Sequence, residues 1–186
     1  MAKNLSTFTI AQMLHVDPGS VANWIDQDRL KAFRTPGGHR RVATEDLIHF
    51  LKEHKMPVPA ELRTSPARIL IIDSEPAVTQ SLAQAIKAAH PDYEVVEAHD
   101  GFRAGALVAI LKPEVVILDL QMPGVDSYEV CRMIKSRHET QQVEILAMTA
   151  YPSPDQEKRI LQCGARKCLS KSAAPPELVK QIDAAI

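Results

Sequence analysis

The stretch EVVILDLQMPGVDSYEV, residues 114–130, holds four consecutive apolar residues, an aspartate (Asp119), a Pro-Gly pair at 123–124, and Asp126 three residues before Glu129. The apolar run is too short for a buried helix and predicts a strand. Pro-Gly predicts a turn, and the Asp126/Glu129 spacing predicts a helix start. Strand, turn and helix thus follow one another within a few residues. The same order recurs outward from this stretch: RILIID, YEVVEA, VEILAM and RKCLS are further apolar runs, each followed by a helical pattern. Ser153 with Gln156 has capping spacing, and Pro154 fits a first helical turn. Strands that are continuously apolar rather than alternating are covered on both faces, the property of a parallel sheet in βαβ units. The expectation for 67–186 is an α/β domain with a doubly wound five-stranded parallel sheet.

In such a sheet the functional crevice lies beyond the carboxyl ends of the strands. Those ends supply Asp73, Asp119, Thr149 and, after the last strand, Lys171. Any one of these residues alone reads as a cap or turn residue; two carboxylates, a hydroxyl and an ammonium at four strand ends read as a site. Two carboxylates suit a hard cation such as Mg²⁺, which keeps water and tolerates a phosphoryl oxygen. A carboxylate beside such an ion can accept a phosphoryl group, Lys171 can hold the product's oxygens, and Thr149 can report the new group. In LIIDSEP (70–76) a neutral Ser74 stands between Asp73 and Glu75. Ser74 offers a neutral oxygen or a bridging water, so its lack of charge weakens Mg²⁺ binding without forbidding it, and Glu75 is expected to point elsewhere.

Residues 1–56 follow a different pattern. Thr9 with Gln12 has capping spacing, which predicts a helix from Ile10; Asp17 and Pro18 then cap a second helix whose Val21, Trp24 and Ile25 share one face. Two short helices joined by a tight turn make a helix-turn-helix. The segment RLKAFRTPGGHRR (29–41) carries five basic residues and no acid, and Thr35-Pro36-Gly37-Gly38 fits a type II turn with Gly37 at positive φ. A basic hairpin beside a helix-turn-helix points to double-stranded DNA. Ser20 and Asn23 are placed to face bases, and Arg34, Thr35, Gly37, His39, Arg40 and Arg41 to face the backbone or an adjoining groove. A third helix from Thr44 to about His54 closes a small core with Leu47, Ile48 and Leu51. His49 and His54 are five apart on that helix and share no face, which argues against a metal site.

Lys55 to Pro66 carries Pro57, Pro59 and Pro66. Residues 57–66 are therefore expected to be a semi-rigid linker between a domain at 1–56 and one at 67–186. Residues 1–60 hold eight Lys/Arg against six Asp/Glu, and 67–186 hold thirteen against sixteen, so the modules differ in sign although the chain's net charge is −1. There is no long apolar run, and the N-terminus lacks a signal-peptide pattern; a cytoplasmic protein without a membrane association is expected. Three cysteines argue against a disulfide framework. Cys163 and Cys168 lack CxxC spacing and read as packing residues.

DPGSVANWIDQDRLKAFRTPGGHRR, with Trp24 and the basic wing, resembles the winged helix-turn-helix of the MerR/excisionase superfamily, without the cysteines or long C-terminal coiled coil of many members. The second module, and LDLQMPGVDSYEV above all, resembles the flavodoxin-like receiver domain of two-component response regulators, with strand order 2-1-3-4-5. The resemblance implies Asp119 as phosphoacceptor, Thr149 as switch hydroxyl, Lys171 as the family's lysine, and Mg²⁺ held by Asp73, Asp119, the Gln121 carbonyl and the position of Ser74. Pro123 and Gly124 match the turn after the acceptor. Three departures stand out: Ser74 replaces a usual acid, Cys168 a usual Tyr or Phe, and Ser172 a usual proline. The implied protein is a DNA-binding transcriptional regulator phosphorylated by a sensor histidine kinase, dimerising through the receiver and not a turnover enzyme. Two alternatives stay open: a pseudo-receiver that serves as a dimerisation or interaction scaffold, and a phosphatase-like enzyme using Asp119.

Overall fold

The computed structural model describes residues 4–54, 56, 58–62 and 65–186, and divides into two compact units, Met1–Thr64 and Ser65–Ile186. In the first unit the elements are β1 (Asn4–Ser6), α1 (Thr7–Leu14), α2 (Pro18–Asp26), β2 (Phe33–Arg34), β3 (Arg40–Ala43) and α3 (Thr44–Glu53). The strands form an antiparallel sheet in the order β1-β3-β2, with Leu5 opposite Val42 and Phe33 opposite Arg41. Ile10, Val21, Leu30, Val42, Leu47 and Leu51 are fully buried between sheet and helices, and the Trp24 ring lies 5.1 Å from that of Phe50.

Two local expectations are corrected. Helix α1 begins at Thr7 rather than Ile10, because Ser6 is its cap: the Ser6 Oγ accepts from the Thr9 N–H at 3.1 Å. In the wing the positive φ belongs to Gly38 (+80°), not Gly37. The Gly38 N–H donates to the Thr35 carbonyl (2.8 Å) and the Thr35 N–H to the His39 carbonyl (3.0 Å). That is a three-residue hairpin loop closed by a left-handed glycine, in place of the two-centre turn expected. The predicted linker falls partly outside the described residues. Within it, Ala60–Leu62 forms one 3-10 turn, and Val58 and Leu62 are buried in the core of the first unit.

The second unit contains β4 (Arg68–Ile72), α4 (Pro76–Ala89), β5 (Glu94–Ala98), α5 (Gly101–Leu111), β6 (Val115–Asp119), α6 (Ser127–Ser136), β7 (Glu144–Thr149), α7 (Pro154–Gln162), β8 (Lys167–Ser170) and α8 (Pro175–Asp183). All five strands are parallel, in the order β5-β4-β6-β7-β8. Renumbered within the unit this is the expected 2-1-3-4-5. Successive side chains point to opposite faces. Leu70, Ile72, Val116, Leu118, Ile145 and Ala147 meet α5, α6 and α7, while Ile69, Ile71, Val115, Ile117, Leu146 and Met148 meet α4 and α8. Each fully buried aliphatic side chain contributes roughly 1.5–3 kcal/mol, and the strands are unbroken apolar runs because both faces are used. The predicted caps form: Asp126 accepts from the N–H groups of Tyr128 and Glu129, and Ser153 from Gln156. β4 and β6 are neighbours, so Asp73 and Asp119 emerge side by side at the same edge.

Candidate functional site

Asp73 follows β4 and Asp119 ends β6; both are buried, at 3% and 2% exposure. The Lys171 ammonium, just past β8, lies 2.7 Å from Asp73 Oδ2 and 3.1 Å from Asp119 Oδ2. One cation therefore bridges two carboxylates. The other oxygen of each carboxylate accepts a backbone N–H, Asp73 Oδ1 from Glu75 (3.0 Å) and Asp119 Oδ1 from Gln121 (3.1 Å). These local bonds set the rotamers, leaving each Oδ2 turned to the common centre. The main chain of Lys171 is held as well, its N–H donating to the Thr149 carbonyl at 2.8 Å.

The charges are unequal, with two carboxylates and one ammonium. Burial pushes the Asp119 pKa above its usual value, against hydrogen bonds from Lys171 and the Gln121 N–H that favour the charged form; the neighbouring Asp73 charge adds to the rise. Burial opposes charge on Lys171, but hydrogen bonds to Asp73 and Asp119 outweigh it and raise the Lys171 pKa. Lys171 therefore stays an ammonium, while the Asp119 carboxyl is easier to protonate than an exposed one.

Thr149 is fully buried at the end of β7, and its Oγ1 accepts from the Tyr151 N–H at 3.2 Å. Gln121 is exposed and Ser74 half-buried. Glu75 departs from the expectation that it points away: its Oε1 lies 3.7 Å from the Lys171 ammonium, although the side chain is 68% exposed. A pair so exposed is worth little in stability. Ser127 had no distinguishing signal in the sequence, being simply the first residue of α6. Its buried hydroxyl donates to the Asp119 carbonyl at 2.6 Å and fixes the main chain at the end of β6. A His99 ring nitrogen lies 3.0 Å from the Asp73 carbonyl, a second contact invisible in sequence.

Among the described residues there is no group of three or more His, Cys, Asp or Glu placed to hold a metal. What Asp73 and Asp119 offer is two carboxylate oxygens already converging on one cation, which fits an ion that takes one or two carboxylates and fills its remaining positions with water, backbone and substrate oxygens. The cysteines are free: Cys131 and Cys163 are buried and Cys168 half-buried. Burial raises the Cys131 thiol to about 11, away from reactivity.

In the first unit Asn23 is exposed and Ser20 half-buried on α2, while Arg34, Gly37 and His39 are exposed on the wing and Thr35 and Arg41 half-buried. Arg34 donates to the Gly38 carbonyl (3.2 Å) and Arg41 to the Arg40 carbonyl (3.0 Å), so both guanidinium groups brace the hairpin and keep unused donors. Arg40 differs. Its Nη2 donates to both carboxylate oxygens of Asp26 at 2.7 Å, tying wing to helix, and Asp26 is a partner fourteen residues away that no local pattern reveals.

Residues 69–183 match the family described as response regulator receiver domain. The chain belongs to that family. Residues 5–55 match the family described as helix-turn-helix domain. A response regulator, MprA, of Mycobacterium sp. (strain KMS) is 36% identical over 119 residues, which cover 64% of this chain and 50% of that one. The phosphate regulon transcriptional regulatory protein PhoB of Pseudomonas aeruginosa is 31% identical over 118 residues, 63% of this chain and 51% of the relative. The chain thus spans about half the length of the curated relatives it matches. Among solved structures, the signal receiver domain of a DNA binding response regulator protein (merR) from Colwellia psychrerythraea is similar at TM-score 0.61 and 34% identity, covering 62% of this chain and 94% of that one. No helix among the described residues is long and apolar enough to cross a membrane.

Proposed function

We propose that this chain is a DNA-binding response regulator: a sensor histidine kinase phosphorylates Asp119, and the receiver then controls how two chains pair on double-stranded DNA. The observation that carries the reading is the Lys171 ammonium held between Asp73 and Asp119, in a chain that also has a helix-turn-helix. An Asp119 carboxylate oxygen forms the new P–O bond as the donor's bond to phosphorus breaks. Lys171, within 3.1 Å of that carboxylate, compensates the added charge, which is about −1.5 to −2 on a phosphoryl group against −1 on the carboxylate. Asp73 and Asp119, with the Gln121 carbonyl and a Ser74 oxygen, would hold Mg²⁺. When bound, the ion screens the incoming phosphoryl group. Thr149 answers the new group by turning its hydroxyl away from the Tyr151 N–H. Turnover is not part of this reading, which is supported by relatives named as a response regulator and a transcriptional regulatory protein rather than as enzymes. The first unit is a winged module of MerR type, a reading supported by its helix-turn-helix, its left-handed Gly38 and the basic hairpin. We place the protein in the cytoplasm, with a first domain whose core takes in Val58 and Leu62, beyond the boundary at 56 expected from sequence, and a second domain at 67–186.

The pseudo-receiver reading keeps one observation in its favour, the neutral Ser74. Labelling with acetyl phosphate, with and without Mg²⁺, separates the two. Mg²⁺-dependent labelling is expected, and Ser74→Asp is expected to raise the apparent Mg²⁺ affinity about tenfold by adding one carboxylate ligand. A chain that takes no label in either form would establish the scaffold reading instead.

For the DNA interface the contrast between Arg34 and Arg40 gives a second test. Arg34→Ala is expected to lower the slope of log affinity against log salt by about 0.9, the loss of one phosphate contact. Arg40→Ala, whose charge is already matched by Asp26, is expected to weaken binding with the slope unchanged, measured by fluorescence anisotropy. Equal slope changes would make Arg40 a phosphate contact as well.

A further inference from the structure

Helix α5 is apolar on its outer as well as its inner side. Ala104 and Val108 are buried against the sheet, yet Phe102 is 91% exposed, Ile110 75%, and Gly105, Ala106 and Ala109 are exposed with them. These five fall at i, i+3, i+4, i+7 and i+8, one continuous stripe, and Arg103 is the only charged residue of the helix. A helix apolar on all sides is ordinarily covered on all sides. Beside the stripe runs a groove of about 110 Å³ between α5 and α6, floored by Val108 and Ile134 and edged by Met133, itself 46% exposed. Gly105 has no role within the chain: its φ is not positive, and a Cβ built on it would meet nothing within 4 Å. A mid-helix glycine costs about 1 kcal/mol relative to alanine, and what it permits here is close approach from outside.

We infer that the α5–α6 face is where a second copy of this chain docks, antiparallel about a two-fold axis at Ala106. The stripe is self-complementary under that operation. Phe102 and Ile110 are each four residues from Ala106, so Phe102 of one copy meets Ile110 of the other, and small residues meet at the axis, as an isologous contact requires. The charges select the antiparallel direction. Glu129 lies in the first turn of α6 and Arg137 at its other end, each four residues from Met133, and both are exposed. Antiparallel docking sets Glu129 of one copy against Arg137 of the other, twice over; parallel docking sets like against like. With Phe102, Ile110 and Met133 from both copies, the contact buries roughly 1,000 Å², the lower end for a specific interface and suited to a regulated one. This inference deepens the pairing step of the proposed function and rests on it.

The test is sedimentation of the full chain over a range of concentrations, with and without acetyl phosphate and Mg²⁺. Wild type is expected to form a concentration-dependent dimer. Ile110→Glu, at a position with no core to disturb, is expected to weaken it about 100-fold, because the change occurs twice in a two-fold contact. Ala106→Cys is expected to give a covalent dimer on mild oxidation that wild type does not give and that added Ile110→Glu suppresses. Pairing that survives Ile110→Glu, with no cross-link formed by the Ala106→Cys variant, overturns the surface while leaving regulated pairing intact. A wild type that stays monomeric though Asp119 takes label overturns both the surface and the pairing step, leaving the phosphoacceptor standing.

Discussion

Asp119→Asn is expected to reduce labelling by acetyl phosphate to background, at least 100-fold below wild type, while the protein becomes more stable rather than less. The first outcome follows from removing the oxygen that, on the proposed function, attacks phosphorus. The second follows from the charge count: Lys171 keeps Asp73 as its partner at 2.7 Å, so the amide removes a buried charge without orphaning the cation. A gain of about 1 kcal/mol, or roughly 3 °C in Tm, is the expected size. Its pH dependence has a definite sign. Because the folded pKa of Asp119 is raised, the wild type is penalised above that pKa, and the penalty disappears as pH falls below the unfolded value of 3.8. The stability gap between variant and wild type is therefore widest at neutral pH and closes in acid. Full labelling of the Asn variant would sink the assignment of the acceptor; a variant less stable than wild type at pH 7 would sink the charge argument alone.

Lys171→Met is expected to have the opposite effect on stability. Its side chain is 13% exposed and faces two carboxylates at 4% and 3% exposure, so removing the ammonium leaves both buried and uncompensated. Breaking such a group from one side costs about 3 kcal/mol, to be read from urea unfolding at pH 7. The cost should shrink in acid, where the Asp119 carboxyl, its pKa raised by burial, takes up a proton. In the wild type the raised Lys171 pKa makes its contribution fully present below pH 10.5, and alkaline titration through the higher folded value removes it. Wild-type stability in the Met variant at pH 7 would mean that another group neutralises the pocket.

The fold was legible where a single local cause dominates. The runs around Ile71 and Ile117 predicted parallel strands because burial on both faces leaves no polar position in them, and Asp17, Asp126 and Ser153 were legible as caps because their partners lie two or three residues away. Misreadings came where two residues competed for one role. Ser6 and Thr9 are a turn apart, and either hydroxyl could cap α1; pairing of β1 with β3 extends the backbone up to Ser6, which decides it. Gly37 and Gly38 are adjacent, and only the hairpin bonds of Thr35 show which one turns left-handed. In the pocket, Asp73, Asp119 and Lys171 were legible as strand-end residues, and the sheet order brings them together. The contacts of Ser127, His99 and Glu75 were not legible, because they depend on where a loop or helix end comes to rest in three dimensions.

The Arg40–Asp26 pair bears on how an operator can vary. On the proposed function, the bond from Arg40 to both Asp26 oxygens joins hairpin to helix, so that the module meets a duplex as a caliper whose jaws favour one spacing. Bases under α2 and the backbone under the wing then have to keep a constant separation. A single base pair inserted between those two footprints would be poorly tolerated, whereas Asp26→Asn would loosen the jaws and widen the set of half-sites the module accepts.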